Sequence, residues 1–306
     1  MRRTIVIAAL TLGLWVTQAT AGSRAWRAAK THLPSTTTMI VGIDASAWVK
    51  SSMFTPLYDM VANEHADVKQ VRDMLIAECG VDVVTAIDSI VFASERDGAG
   101  GAAYIAIAGA HAKKVERCFT SWTSRGSTPE IQVKRRGPVV EIADGSETAY
   151  VGWLGNVVIW PVHRTDQGEL KKWMGAARGL SKAPVKPVLD RVDTSAAFWV
   201  ASTQPKAIGA HGTAVRLAAT VALRKGDMVS DVRFTMPDAT QAAAIASELN
   251  GQLSQVSGLA SSSPAAGRIL NGVIVQASAG DVMVRSTAAQ SDVVSIVKTF
   301  GPMLMR

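Results

Sequence analysis

Two cysteines, five histidines, a Ser-x-x-Lys segment and a basic triplet are the residues of this 306-residue chain whose types could support chemistry or binding. Cys79 closes the apolar stripe of a helix predicted over 56–79, and Cys118 lies on the apolar face of a second helix predicted over 111–124. A thiol-exchange pair usually sits in one Cys-x-x-Cys segment at a helix start, where the dipole lowers the thiol pKa. These two are far apart and on apolar faces, which turns the reading from redox catalysis to a structural disulfide. Closing a loop of about 40 residues stabilises a fold by roughly 4 kcal/mol in the chain-entropy model.

His32, His65, His111, His163 and His211 are scattered one per element or loop, without the i, i+4 spacing of a helical zinc site, so no metal and no cofactor is expected. Ser295-Ile296-Val297-Lys298 matches the Ser-x-x-Lys pattern of penicillin-binding enzymes. Its companion Ser-Asp-Asn and Lys-Thr-Gly elements are missing, and Ser295 points away from the apolar face of its helix, so no catalytic residue is assigned. The glycines at 98–101 join two strands and open no helix, so they lack the dipole end that would hold a phosphate. Asp44 follows a buried strand, where a helix cap suits it better than an acid–base role.

Lys134-Arg135-Arg136 is the most concentrated positive charge. Two uses are open to it: contact with lipid head groups or an acidic protein, or a charged strand end that blocks edge-to-edge association. Nucleic acid is not an expected partner, because no aromatic side chains interleave with the charges as a stacking platform requires. Trp153 and Trp160 flank the turn at Gly155-Asn156, within reach of pairing across the hairpin.

Behind these residues lies an alternation of strands and helices. A tether containing Trp26 and Lys30 leads to a buried strand at 38–44, then the helix over 56–79, whose apolar positions recur at steps of three and four. Strands around Ile90 and Ile105 flank a glycine turn, and four more strands follow at hairpin spacing over 130–162. After a polar helix at 167–178 and a Lys/Pro-rich stretch, the order returns: a strand at 196–201, a hairpin over 215–236, a helix from Asp238, a hairpin over 272–286 and a last helix. The fold class read from this is α+β, two related units of antiparallel strand pairs with helices packed on one sheet face. The expected division is a signal peptide at 1–21, a first unit at 33–178, a linker at 179–191 and a second unit at 192–306.

The start of the chain carries the address. Arg2 and Arg3 precede an apolar run from Ile5 to Val16, and Ala19-Thr20-Ala21 offers the small residues of a cleavage site. Export to the periplasm or beyond is expected, and an oxidising compartment favours the disulfide. The net charge of +7 falls by two, to +5, without Arg2 and Arg3, a mild attraction to anionic surfaces. The mature chain holds no apolar run of transmembrane length.

Leu33-Pro34-Ser35-Thr36-Thr37, Ile40 to Asp44, Ser52-Met53-Phe54, Cys79-Gly80, Asp88-Ser89-Ile90 and Cys118 together resemble a family of uncharacterised exported proteins of Gram-negative bacteria. The resemblance implies a duplicated α+β architecture and a paired cysteine, and brings no catalytic residues. The expected function is that of a non-enzymatic exported envelope protein, a binding or scaffolding module whose partner is an envelope protein or a lipid. Two alternatives stay open: a hydrolase with a site assembled from sequence-distant residues, and a carrier of an apolar ligand, which would need a large cavity lined by Val, Ile and Trp between sheet and helices.

Overall fold

The computed structural model describes residues 22–64, 66–96, 99–108, 114, 117–118, 131–144, 147–162, 166–175, 178–208, 212–256 and 263–304. Residues 1–21, expected to be a signal peptide, His65, His111, His163, His211 and most of the helix expected over 111–124 lie outside the described residues.

The described residues open with α1 (Arg24–His32), β1 (Thr37–Ile43), α2 (Ala45–Val49), α3 (Phe54–Glu64), α4 (Ala66–Cys79) and α5 (Val83–Ala86). Strands β2 (Ile87–Glu95), β3 (Gly101–Ile107), β4 (Ile131–Arg136), β5 (Val139–Asp144), β6 (Glu147–Leu154) and β7 (Val157–Pro161) follow, then α6 (Gln167–Met174) and α7 (Lys186–Leu189). The remainder is β8 (Phe198–Ser202), β9 (Lys206–Ile208), β10 (Gly212–Ala214), β11 (Arg216–Arg224), β12 (Asp227–Thr235), α8 (Ala239–Val256), α9 (Pro264–Asn271), β13 (Val273–Ser278), β14 (Asp281–Ala289) and α10 (Gln290–Leu304). The fold is α+β. Where a tether was expected, α1 forms instead: Ser23 caps it, and Ala25, Trp26 and Ala29 are buried. Nine residues repeat the apolar positions over too few turns to stand out in the sequence, and alanines spaced by four leave a flat face that lies directly on strands.

Twelve strands form one antiparallel sheet in the order β13-β14-β12-β11-β8-β1-β2-β3-β7-β6-β5-β4. The seam is β1 against β8, with Val41 opposite Val200 and Ile43 opposite Phe198. Going outward from it, β2, β3 and β7 on one side correspond in order to β11, β12 and β14 on the other, and the β4–β5 hairpin extends the first side alone.

Because side chains alternate across a sheet, the register defines two faces. On the first, Ile40, Val91, Tyr104, Ile159 and Trp199 are at most 1% exposed, sealed beneath α1, α6 and α7 with Trp26, Leu170, Trp173 and Val188 in the same cluster. Further along this face, over β11, β12 and β14, the side chains become charged: Arg285 pairs with Asp231 at 2.8 Å and Arg191 with Asp281 at 3.2 Å. The second face carries the cluster of Ile107, Val140, Val151, Trp153 and Val158 at one end and the packing of α8 on Val275 and Val282 at the other. Helices therefore flank both faces. The reason is visible in β7, which buries Val157 and Ile159 on one side and Val158 on the other, so that neither side can be left to water.

Between those two ends the second face holds an unbroken cross-strand row. Trp160 lies opposite Ala103, Ala103 opposite Phe92, Phe92 opposite Val41, Val41 opposite Val200, Val200 opposite Ala219 and Ala219 opposite Val232. A parallel row runs from Val158 through Ile105, Ile90, Ile43 and Phe198 to Val221. Apart from the exposed Trp160 and the buried Val158, every member is half-buried.

The stretch 179–191, read as a linker, is a packed connection: a 3-10 turn at Gly179–Lys182 followed by α7, with Ala183, Val185, Val188 and Leu189 in the main core.

Candidate functional site

The site grows from the end of α4. Gly80, at φ +61°, turns the chain out of the helix through a conformation that costs a glycine little. Asp82 then caps α5, accepting from the Val84 N–H at 3.1 Å, and takes a two-pronged ion pair from Arg72 of α4, Nε to Oδ1 at 2.9 Å and Nη2 to Oδ2 at 2.5 Å. The Arg72 hydrogen bond holds the Asp82 carboxyl below the usual carboxylate range, and the same bond raises Arg72. The Arg72 guanidinium also lies 4.8 Å from the centre of the Tyr58 ring, tying α3 to α4. Cys79 is bonded to Cys118, with Cα atoms 5.1 Å apart, inside the range a disulfide bridges without backbone movement.

Beneath this clasp is a cavity of about 230 Å³. Leu75 and Cys79 of α4 and Cys118 form part of its wall, Val81, Val83, Ala86 and Ile87 another part, and Ile105, Ile107, Val158 and Trp160 of β3 and β7 its sheet side. Among the described residues its lining has no charged side chain, and the Trp160 indole N–H is its one conventional side-chain hydrogen-bonding group. Such a space can take an apolar molecule out of water but has no group to move a proton or attack a bond. An apolar cavity of about 150 Å³ in another protein stays dry and binds benzene, and ordinary small-molecule sites begin near about 300 Å³.

A second constellation lies against the first sheet face. Glu95 ends β2 and Glu169 lies in α6; both are buried, and Lys172 bridges them, bonded to Glu95 Oε2 and 3.9 Å from Glu169 Oε2. Thr36 donates to the other Glu95 oxygen, and the Trp173 indole N–H donates to Glu169 at 2.5 Å. Burial pulls the Glu95 carboxyl upward, but the Lys172 and Thr36 hydrogen bonds outweigh it and hold it below its ordinary value. Two carboxylates and a lysine resemble acid–base machinery. Here a side chain at Gly100 would run into both carboxylates, so the group is packed shut and acts as a lock between α6 and the sheet. Neither glutamate stands out in the sequence, since only the folding of β2 against α6 brings them together.

Other singled-out residues are dispersed. Asp44 caps α2, accepting from the Ala47 N–H at 2.9 Å and from the Ser46 hydroxyl at 2.8 Å. Ser295 is exposed on α10, and His32 makes local contacts with Thr31 and the Ala28 carbonyl. Lys134, Arg135 and Arg136 are exposed on β4, the edge strand, with Arg135 Nε donating to the Gly137 carbonyl at 3.0 Å. Trp153 faces Val158 across its hairpin while Trp160 pairs with Ala103 of β3; Trp153 is 7% exposed and Trp160 40%. Among the described residues no three His, Cys, Asp or Glu side chains converge as a metal site. No helix among them is long and apolar enough to cross a membrane.

No family model matches the chain, and no curated protein sequence matches it. Among solved structures, crystal form III of TP0453 aligns with a TM-score of 0.48 and 8% identity over 89% of this chain and 97% of that one. Form I aligns at 0.47 and 9% over 89% and 96%, and form IV at 0.45 and 8% over 90% and 99%. At these values the likeness carries nothing about ligand, partner or activity.

Proposed function

We propose that this chain is a non-enzymatic, exported envelope protein that binds an apolar ligand in the cavity beside the Cys79–Cys118 bond. The observation that carries this is the lining: Leu75, Val81, Ile105, Ile107, Val158 and Trp160 make a wall of hydrocarbon around a space of about 230 Å³. Burying apolar ligand surface there is favourable by about 25 cal/mol per Å² removed from water. Export is supported by the leader-like start, Arg2 and Arg3 before the apolar run to Val16 and Ala19-Thr20-Ala21, and agrees with a disulfide between the only two cysteines. In this reading the chain is two related α+β units, 33–178 and 192–306, joined through 179–191, with the ligand site in the first.

Titration with an environment-sensitive fluorescent fatty acid tests it. Saturable binding at one site is expected, and Ile105→Trp, which fills the cavity from β3, weakens it by at least about tenfold, the loss of some 1.4 kcal/mol. Equal binding by the filled variant, or sustained turnover of a substrate by the protein, overturns the proposal.

A further inference from the structure

The cavity is one end of something longer, and its shape bears on the ligand. Val158, Ile105 and Trp160 belong both to the cavity wall and to the two cross-strand rows of the second sheet face. From Trp160 on β7 to Val232 on β12 the first row crosses six strand spacings, about 29 Å at 4.8 Å each. On the opposite face, Ile40, Val91, Tyr104, Ile159 and Trp199 of the same strands are sealed to 1% exposure or less, and further along it Asp231 pairs with Arg285 and Asp281 with Arg191. The rows of the second face differ: they are apolar and, Trp160 and Val158 apart, half-buried. No described side chain of α3 is buried, and Val293, Ile296 and Val297 of α10 are likewise half-buried.

Resting on the proposed ligand-binding function, we infer that the ligand is a fatty acyl chain with an anionic head. The chain lies in the cavity and along the row, across the strands, and the head emerges at Trp160. A bilayer's hydrocarbon core of about 30 Å is two acyl chains deep, so a 29 Å row accommodates a full chain, whereas a compact ring compound would fill only the cavity end. Charge selects the head. Trp160 is the exposed end of the row, and Arg135 stands on the same sheet face, opposite Val140, which is opposite Val151; at the strand spacing it lies about 14 Å beyond Trp160. Lys134, opposite Glu141, and Arg136 flank it along the strand.

Binding of a series of straight-chain fatty acids, with the alcohol of each length alongside, tests this on the intact protein. Affinity is expected to rise about tenfold for every two added methylenes, well past the length the cavity alone can hold. Val200→Trp, which obstructs the middle of the row, should remove that gain for long chains and leave short-chain binding unchanged. Ala219→Leu, a smaller obstruction on the neighbouring strand, should do the same more mildly, and circular dichroism verifies the fold of both. Acids should bind more tightly than alcohols, a preference reduced by Arg135→Gln. A plateau at short lengths, unaltered long-chain binding by both variants, or equal affinity for acid and alcohol overturns this inference while leaving the cavity reading intact. Failure of every chain length to bind overturns both.

Discussion

Glu95 shows how far a single residue can be read from sequence. It ends a strand whose apolar alternation is plain, and nothing near it in sequence announces Lys172 or Glu169, which arrive only when α6 docks on the first sheet face. Its carboxyl is held below its ordinary value by Lys172 and Thr36 against the opposing pull of burial. The sign follows from linkage: a lowered folded-state pKa adds stability that is fully present above the unfolded value of about 4.3 and is lost as pH falls through the folded value. Glu95→Gln should therefore be less stable than the parent at pH 7, and the difference should shrink toward pH 3. Urea unfolding across that range measures it, and a difference that does not change with pH would contradict the assignment. Asp44, by contrast, was legible as a cap because capping is local: its carboxylate reaches only to Ser46 and Ala47.

At the scale of elements, the hairpin spacing over 131–161 and the strands on either side of the Lys225-Gly226 turn could be read directly, because period-two patterns between turn residues carry their own register. Elements whose stability comes from docking were harder to see. The single helix expected over 56–79 is two helices, α3 and α4, held together in part by Arg72 against Tyr58. The alanine-rich α1 and the short α9 were missed because runs of 9 and 8 residues repeat their apolar positions over too few turns to stand out. α4 is where the disulfide matters most. Its described side chains are half-buried or exposed, Ile76 at 41%, so the Cys79–Cys118 bond supplies order that packing does not. Replacing both cysteines with alanine should cost up to about 4 kcal/mol. In hydrogen exchange, the loss of protection should concentrate in α4 while β1, β2 and β8 keep theirs. Uniform loss across the sheet would show that the bond serves the whole fold instead.

The described residues are built on one twelve-stranded sheet whose two faces differ. The α+β class was visible in the sequence. That helices flank both faces was not, since an apolar strand position carries no label for which side it will cover. The first face is closed with Tyr104, Trp173 and Trp199; the second stays apolar and half-open between the disulfide cavity and α8. That asymmetry is the reason for reading the protein as a binder of apolar ligand. The direct measurement is native mass spectrometry of the protein isolated from its producing cells, before and after incubation with phospholipid vesicles. Adducts of a single lipid mass, abolished by Ile105→Trp, are predicted; protein that carries no lipid in either condition would contradict the account.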